Sequence, residues 1–322
     1  MSAIKLLVSE LGSWKRYVSR EYYHVMTDLM TNHGWRHIET AELFKGVGTV
    51  RGRLLGRLGE LPRVILFWES YYCLYTHAPD VIRLDCRKCI FADDLKWFRY
   101  RSEWLKRVAS YSMCDTILAS YAYAFDRFYP HLAGRVRVAW VPHAASPDFM
   151  LDYNPRPANA ILLSGALNQH YPLREQMMRL REGGRHAITY HPHPGYHCGY
   201  DYAADARVGQ GYAARIRSHR AGFTDSTRYG YLVAKYFEIP ATGALLLADD
   251  ALGAELKELG LVADRHYVPV SPRDLEEKVR FVLDERNHPE LDRVRKRGQE
   301  LIRERHKTGD RARLIDRICA AS

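Results

Sequence analysis

No stretch of this 322-residue chain approaches the roughly eighteen consecutive apolar residues that a membrane-spanning helix needs. The apolar run near the start, Ile4 to Val8, is too short for the core of a secretory signal and runs into Glu10 and Lys15. Cysteine is scarce, with six residues at positions 73, 86, 89, 114, 198 and 319. Without an export signal these thiols are expected to stay reduced, which removes a disulfide framework as a source of stability. There is no repeat at a fixed period, no low-complexity tract and no tail of disordered composition. Any helix-turn-helix, zinc-finger or RNA-binding aromatic signature is also missing. These absences leave a globular protein whose expected compartment is the cytoplasm.

The composition that is present suits such a protein. Apolar residues make up 47% and charged residues 27%, enough for a substantial core in one large or two ordinary domains. The net charge is +10 and the isoelectric point about 9.3, with the basic excess spread over both halves of the chain. A generally cationic surface fits phosphorylated ligands, anionic glycans or nucleic acid, without choosing among these anionic partners.

Strand-like and helix-like patterns alternate along the chain. Ile4–Val8, Val64–Trp68, Asp80–Leu84, Cys89–Ala92, Thr116–Ala119 and Val136–Val141 read as strands. Residues 17–33 carry apolar side chains at helical spacing, as do those from Trp97 to Val108 and from Tyr121 to Tyr129. Residues 41–62 read as a loop and a short helix. The proline-rich stretch Ser146 to Asn159 has no period and is the best interdomain linker. Beyond it the pattern restarts with strands at Ala160–Leu163 and Ala187–Tyr190, a helix at Tyr171–Glu182, an unassigned piece over 201–220, and terminal helices. The expected fold class is α/β, with two parallel sheets covered by helices. The expected organisation is a first domain over 1–148, a linker over 149–159, a second domain over 160–308 and a last helix over 309–322.

The most informative segment runs from Thr224 to Asp250. It reads as a loop, an amphipathic helix ended by Pro240, a turn at Gly243 and a buried strand from Ala244 to Ala248. Arg228, Lys235 and Glu238 interrupt its apolar character. Lys235 and Glu238 stand three residues apart on one helix face. They read either as a surface ion pair or as a nucleotide site, with cation to phosphate and carboxylate to sugar hydroxyls.

The run Lys235-x-Phe237-Glu238-Ile239-Pro240-Ala241-x-Gly243 resembles the donor-binding motif of GT-B-fold glycosyltransferases, of the CgeB-like or "glycosyl transferases group 1" type. The resemblance implies two Rossmann-like domains facing a cleft. It also implies a reaction that moves a sugar from a nucleoside-diphosphate sugar to a hydroxyl acceptor, with no further cofactor and no metal. It gives Glu238 the ribose, and gives Lys235, Arg228 and Tyr229 places beside the diphosphate. Many retaining relatives carry a second glutamate eight positions upstream; here that position is Gly230, so the pair is incomplete. The resemblance further implies that the final helix crosses back to the first domain.

Other candidates lie at the ends of expected strands. Ser164-Gly165 with Asn168 reads as a turn whose backbone N–H groups, with those of the next helix, can bind phosphate, or as a plain αβ turn. Arg174 ends a Tyr-Pro-Leu-Arg run that resembles the same family. His191 and His193 sit on a proline-stiffened loop read as lining the nucleotide pocket or as inert. Together with His197 and Cys198 they match no common zinc spacing. Cys86 and Cys89 form a lone CxxC, read as buried thiols ahead of redox or zinc chemistry. In the first domain Gly12 lies in the loop after the first strand, where open sheets place ligands. Glu69 and Asp94, and also Asp93 and His143, follow strands and could serve as acceptor ligands or a general base, or simply as caps. If the enzyme retains configuration, the departing phosphate takes the acceptor proton and no protein base is essential. The rival readings are a nucleic-acid-binding protein and a catalytically inactive nucleotide-binding module of the same fold.

Overall fold

The computed structural model describes residues 4–96 and 100–320. The expected helical residues Trp97 and Phe98 lie outside them. The chain forms two compact units. One comprises residues 1–15, 22–142 and 311–322, and the other residues 16–21 and 143–310.

The first unit holds a parallel sheet of β1 (Lys5–Ser9), β2 (Trp35–Glu39), β3 (Val64–Trp68), β4 (Arg87–Ala92), β5 (Thr116–Ala119) and β6 (Arg137–Trp140). Its order is β2-β1-β3-β4-β5-β6. β3 is buried at every position, as a central strand covered on both faces must be. The helix Glu21–His33 packs Val25, Met26 and Leu29 onto Leu7 and Leu66, and the last helix, Thr308–Ala320, brings Ala312, Ile315 and Cys319 to the same core. Lys5 and the indole of Trp35 both donate to Asp316, which ties that helix to the sheet edge.

The second unit holds β7 (Ala158–Gly165), β8 (Ile188–Pro192), β9 (His219–Thr224), β10 (Leu245–Asp249) and β11 (Val268–Val270). All pairs are parallel, in the order β11-β10-β9-β7-β8. Each sheet therefore reverses direction beside its first strand, between β1 and β3 and between β7 and β9. The crevice beyond the C-terminal ends of such a pair is where open α/β sheets bind ligands. Among the described residues no helix is long and apolar enough to cross a membrane.

Several expectations require correction. Asp80–Leu84 is not a strand; Ala78–Ile82 is a short helix, with Pro79 in its first turn and Asp80 accepting the N–H of Val50. Residues 17–20 do not belong to the first helix, which begins at Glu21; they run with the second unit, where the Tyr17 carbonyl accepts the Tyr202 hydroxyl. Tyr121–Tyr129 is only a 3₁₀ turn followed by one turn of α-helix. β2 and β9 were not expected as strands. β2 is an edge strand with polar alternation, so its apolar signal reduces to Trp35 and Ile38. β9 contains Gly222 because a Cβ there would come within 3.0 Å of the Ile239 side chain. Pro240 is the sixth of the seven residues of the helix Lys235–Ala241, so the helix ends one residue after it rather than at it, and its missing N–H forfeits a ladder bond only in that last turn. The stretch read as a linker is bound to the second unit. Arg295, buried, donates to the carbonyls of Asn154 and Gly243, and Gln299 to that of Leu151.

Candidate functional site

At the reversal point of the second sheet, β7 ends on Gly165 with φ +104°, a conformation that side chains other than glycine's strain to adopt. A Cβ added there would meet Arg174 Nη1 at 2.9 Å and the Cε and Nζ of Lys235 at 3.3 Å. Two cations thus converge on one bare backbone position. Arg174 is held by Asp225, just past the end of β9, with Nε and Oδ1 2.8 Å apart, and its guanidinium lies 3.7 Å from the centre of the Tyr171 ring. Thr224 Oγ1 accepts its Nη2.

The same Asp225 accepts the N–H groups of Leu173 and Arg174 through Oδ2. The first-turn amides of the helix Pro172–Glu182, expected to bind phosphate, are therefore partly committed to a protein carboxylate. Asn168 also serves a local purpose, its Oδ1 accepting the His170 N–H within the turn. The positive charge at this site comes from side chains rather than from that helix end.

Lys235 opens the helix that carries Glu238. Burial lowers the Lys235 ammonium's pKa, Glu238 opposing the shift and Arg174 adding to it. Glu238 is buried, and among the described residues no group donates a hydrogen bond to its carboxylate. Burial raises its pKa, with Lys235 opposing. Glu21 and Asp148 push it further up, and His143 pulls it down. Glu21 accepts His143 Nδ1 at 2.8 Å and the Ala144 N–H at 2.7 Å, while Asp148 is bridged by Arg20. These acidic neighbours come from residues 16–21 and 143–148, and the sequence reading gave none of them to the donor side. No local motif marks them, since only the fold brings these segments beside Glu238.

Tyr212 completes the second unit's cluster. Its hydroxyl bonds Ser164 Oγ at 2.7 Å, its ring stacks on His191 at 5.6 Å, and Lys235 lies 5.7 Å from its centre. His191 keeps a buried Nε2 without a hydrogen-bond partner. His193 is held neutral, its pKa near 4, by burial and then by Lys235 and Arg174. The structure thus gathers Ser164, Gly165, Arg174, His191, His193, Lys235 and Glu238. Arg228 is exposed and reaches its neighbour Tyr229 rather than Arg174, Lys235 or Glu238, and the Tyr229 ring lies against His170. No group of three or more metal-ligating side chains occurs among the described residues, and His197 stacks instead on Tyr200.

Gly12, Glu69 and Asp94 belong to the first unit. Gly12 lies in the short helix Leu11–Lys15, with open space where a Cβ would stand. Glu69 follows β3 at φ +51°, a strained value for a residue with a side chain. Burial lifts its pKa to about 7 against the pull of Arg107, and Asp93 raises it further. Its Oε1 accepts the Asp93 N–H. Arg107 is fully buried and donates to the Asp94 carbonyl and the Tyr71 hydroxyl. Asp94 Oδ1 accepts the Lys96 N–H, as a turn-capping aspartate does. Of the CxxC pair, Cys89 is buried and hydrogen-bonded to Cys319, while Cys86 is half-buried.

Residues 172–317 match the family model described as "Glycosyl transferase-like". No curated protein sequence matches the chain. A sucrose-phosphate synthase of Thermosynechococcus elongatus superposes with a TM-score of 0.63 at 11% identity, covering 99% of this chain and 100% of that one. HepE of Anabaena, solved with UDP and glucose, superposes at 0.61 and 9% identity, covering 99% and 100%. A UDP-N-acetylglucosamine 2-epimerase of Listeria monocytogenes superposes at 0.50 and 12%, covering 98% and 95%. At such identities the structures show the fold, and a fold does not by itself fix the chemistry. Residues 172–317 thus carry a glycosyl transferase-like domain, and the chain has the GT-B fold with its two Rossmann-like parallel sheets.

Proposed function

We propose that the second unit binds a nucleoside-diphosphate sugar and that the protein transfers the sugar to a hydroxyl acceptor held by the first unit. The convergence of Arg174 and Lys235 on Gly165, with buried Glu238 one turn beyond Lys235, carries this reading. A diphosphate fits where two cations flank backbone that no side chain obstructs. A buried carboxylate to which none of the described residues donates a hydrogen bond fits a pair of ribose hydroxyls as its donors. HepE, whose structures hold UDP and UDP-glucose, is consistent with this class of donor.

In the proposed reaction the bond between the anomeric carbon and the diphosphate oxygen breaks, and a bond to the acceptor oxygen forms. The acceptor proton passes to the departing diphosphate, and configuration is retained. Arg174 and Lys235 neutralise the charge growing on the leaving group, so the proposal calls for no metal ion. Glu69, whose carboxyl titrates near 7, holds the acceptor hydroxyl.

The test is turnover with UDP-, GDP-, ADP-, dTDP- and CMP-linked sugars, read as release of free nucleotide, with the anomer of the released or transferred sugar followed by NMR. One donor is expected to turn over with retention. Absence of turnover across the panel would favour a nucleotide-binding module, and an inverted product would overturn the retaining mechanism.

A further inference from the structure

The first unit carries a surface that the donor chemistry does not use. Immediately after Glu69 the helix Tyr71–Thr76 presents Tyr72 and Tyr75, three residues apart and therefore on one face. They remain 43% and 44% exposed. From the helix Arg101–Ser112, packed alongside, Lys106 places its ammonium 4.9 Å from the Tyr72 ring centre and 5.9 Å from that of Tyr75. Among the described residues no carboxylate pairs with Lys106. The surface connects inward: the Tyr72 ring lies 4.9 Å from that of Tyr71, and Tyr71 stacks under the Arg107 guanidinium at 4.2 Å. Arg107 in turn is the cation that opposes the upward shift of Glu69.

We propose that Tyr72, Tyr75 and Lys106 form a binding platform for an anionic saccharide, a sugar chain carrying carboxylate groups, which leads the acceptor toward Glu69. The proposal rests on the glycosyltransferase reading above. A tyrosine face is apolar and electron-rich, and the axial C–H groups of a pyranose are its natural complement, while the phenol hydroxyl remains free to bond sugar hydroxyls. A neutral glycan would need only the rings. The unpaired ammonium fixed over both of them adds a preference for negative charge, and the overall charge of +10 acts in the same direction. Two aromatic side chains on one short helix span about 5 Å, one sugar residue's length, so adjacent residues of a chain would occupy the two rings in turn.

The experiment titrates the full chain with a hexamer of galacturonic acid and, separately, with maltohexaose, by calorimetry. The same is done for the Tyr72→Ala/Tyr75→Ala double variant and for Lys106→Gln. The acidic hexamer is expected to bind the natural protein more tightly than the neutral one. The double variant should lose about tenfold or more of that affinity, and Lys106→Gln should abolish the preference for the acidic probe. Equal affinity for the two probes, or unchanged binding in the double variant, would overturn the proposal. Each preparation is also tested for stabilisation by the nucleoside diphosphates. Retention of that shift in the variants separates the platform from the donor site. Its absence from the natural protein would count against the donor reading whatever the saccharides do.

Discussion

Arg174 Nε lies 2.8 Å from Asp225 Oδ1, with side-chain exposures of 3% and 0%. The pair spans the reversal point of the second sheet. It joins the helix after β7 to the end of β9 and aims the guanidinium at Gly165. Burial raises the Asp225 pKa to about 6 against the pull of Arg174, so the arrangement is held by mutual compensation. Replacing Asp225 by Asn removes one charge and leaves Arg174 buried without its counterion. We expect Asp225→Asn to destabilise the protein by about 3 kcal/mol, read from chemical denaturation. It should also weaken nucleoside-diphosphate binding, since the guanidinium loses the group that orients it.

Gly165→Ala tests the cradle itself. The new Cβ would stand 2.9 Å from Arg174 Nη1 on a backbone at φ +104°. Strain of this kind costs about 1–3 kcal/mol. The diagnostic result is a loss of nucleotide binding larger than that seen in Gly12→Ala, where the added methyl meets nothing within 4 Å. Calorimetric titration with the preferred nucleoside diphosphate makes the comparison.

Glu69 sets a pH dependence whose sign is fixed. Its pKa is raised from 4.5 to about 7 in the folded protein. Its contribution to stability is therefore complete below about pH 4.5 and is lost as pH rises through 7. In Glu69→Gln this loss is removed while an acceptor for the Asp93 N–H remains. The variant should gain stability relative to the natural protein between pH 4.5 and 7.5, by about 1–3 kcal/mol. Melting curves at the two pH values check it.

Arg107 opposes the upward shift of Glu69. Arg107→Met should therefore move the Glu69 titration to higher pH, beyond the destabilisation expected from removing a buried, hydrogen-bonded guanidinium. The carboxyl carbon of Glu69, followed by NMR across the pH range, reports the midpoint directly. An unchanged midpoint would show that Arg107 does not set the charge state of Glu69.

How much of this was legible in the sequence depends on how local each signal is. The Lys235–Glu238 spacing, the strand β10 and Gly165 could be read from short windows, and the structure places them together. β9, the strand beside β7, could not, because His219, Arg220 and Gly222 break its apolar run. Their reasons are tertiary: Arg220 pairs with Asp292, and Gly222 makes room for Ile239. Asp80–Leu84 misled for the opposite reason, since its apolar residues suit a strand while Pro79 and Asp80 begin a helix. The setting of Glu238 was hidden altogether. Glu21, His143 and Asp148 are distant in sequence, and no spacing rule connects them to Glu238. Asp225 was likewise silent, because a lone aspartate after a strand carries no mark of the arginine and the helix end it will hold.

The central claim is that Glu238 grips the ribose of a nucleoside diphosphate whose phosphates lie against Arg174 and Lys235. Thermal melting of the natural protein and Glu238→Ala, each with UDP, GDP, ADP, dTDP and CMP at saturating concentration, tests it most directly. One of the four nucleoside diphosphates should raise the melting temperature of the natural protein, and Glu238→Ala should lose most of that rise while staying folded without ligand. A full rise in Glu238→Ala, or no rise with any of the four diphosphates in the natural protein, would contradict the account.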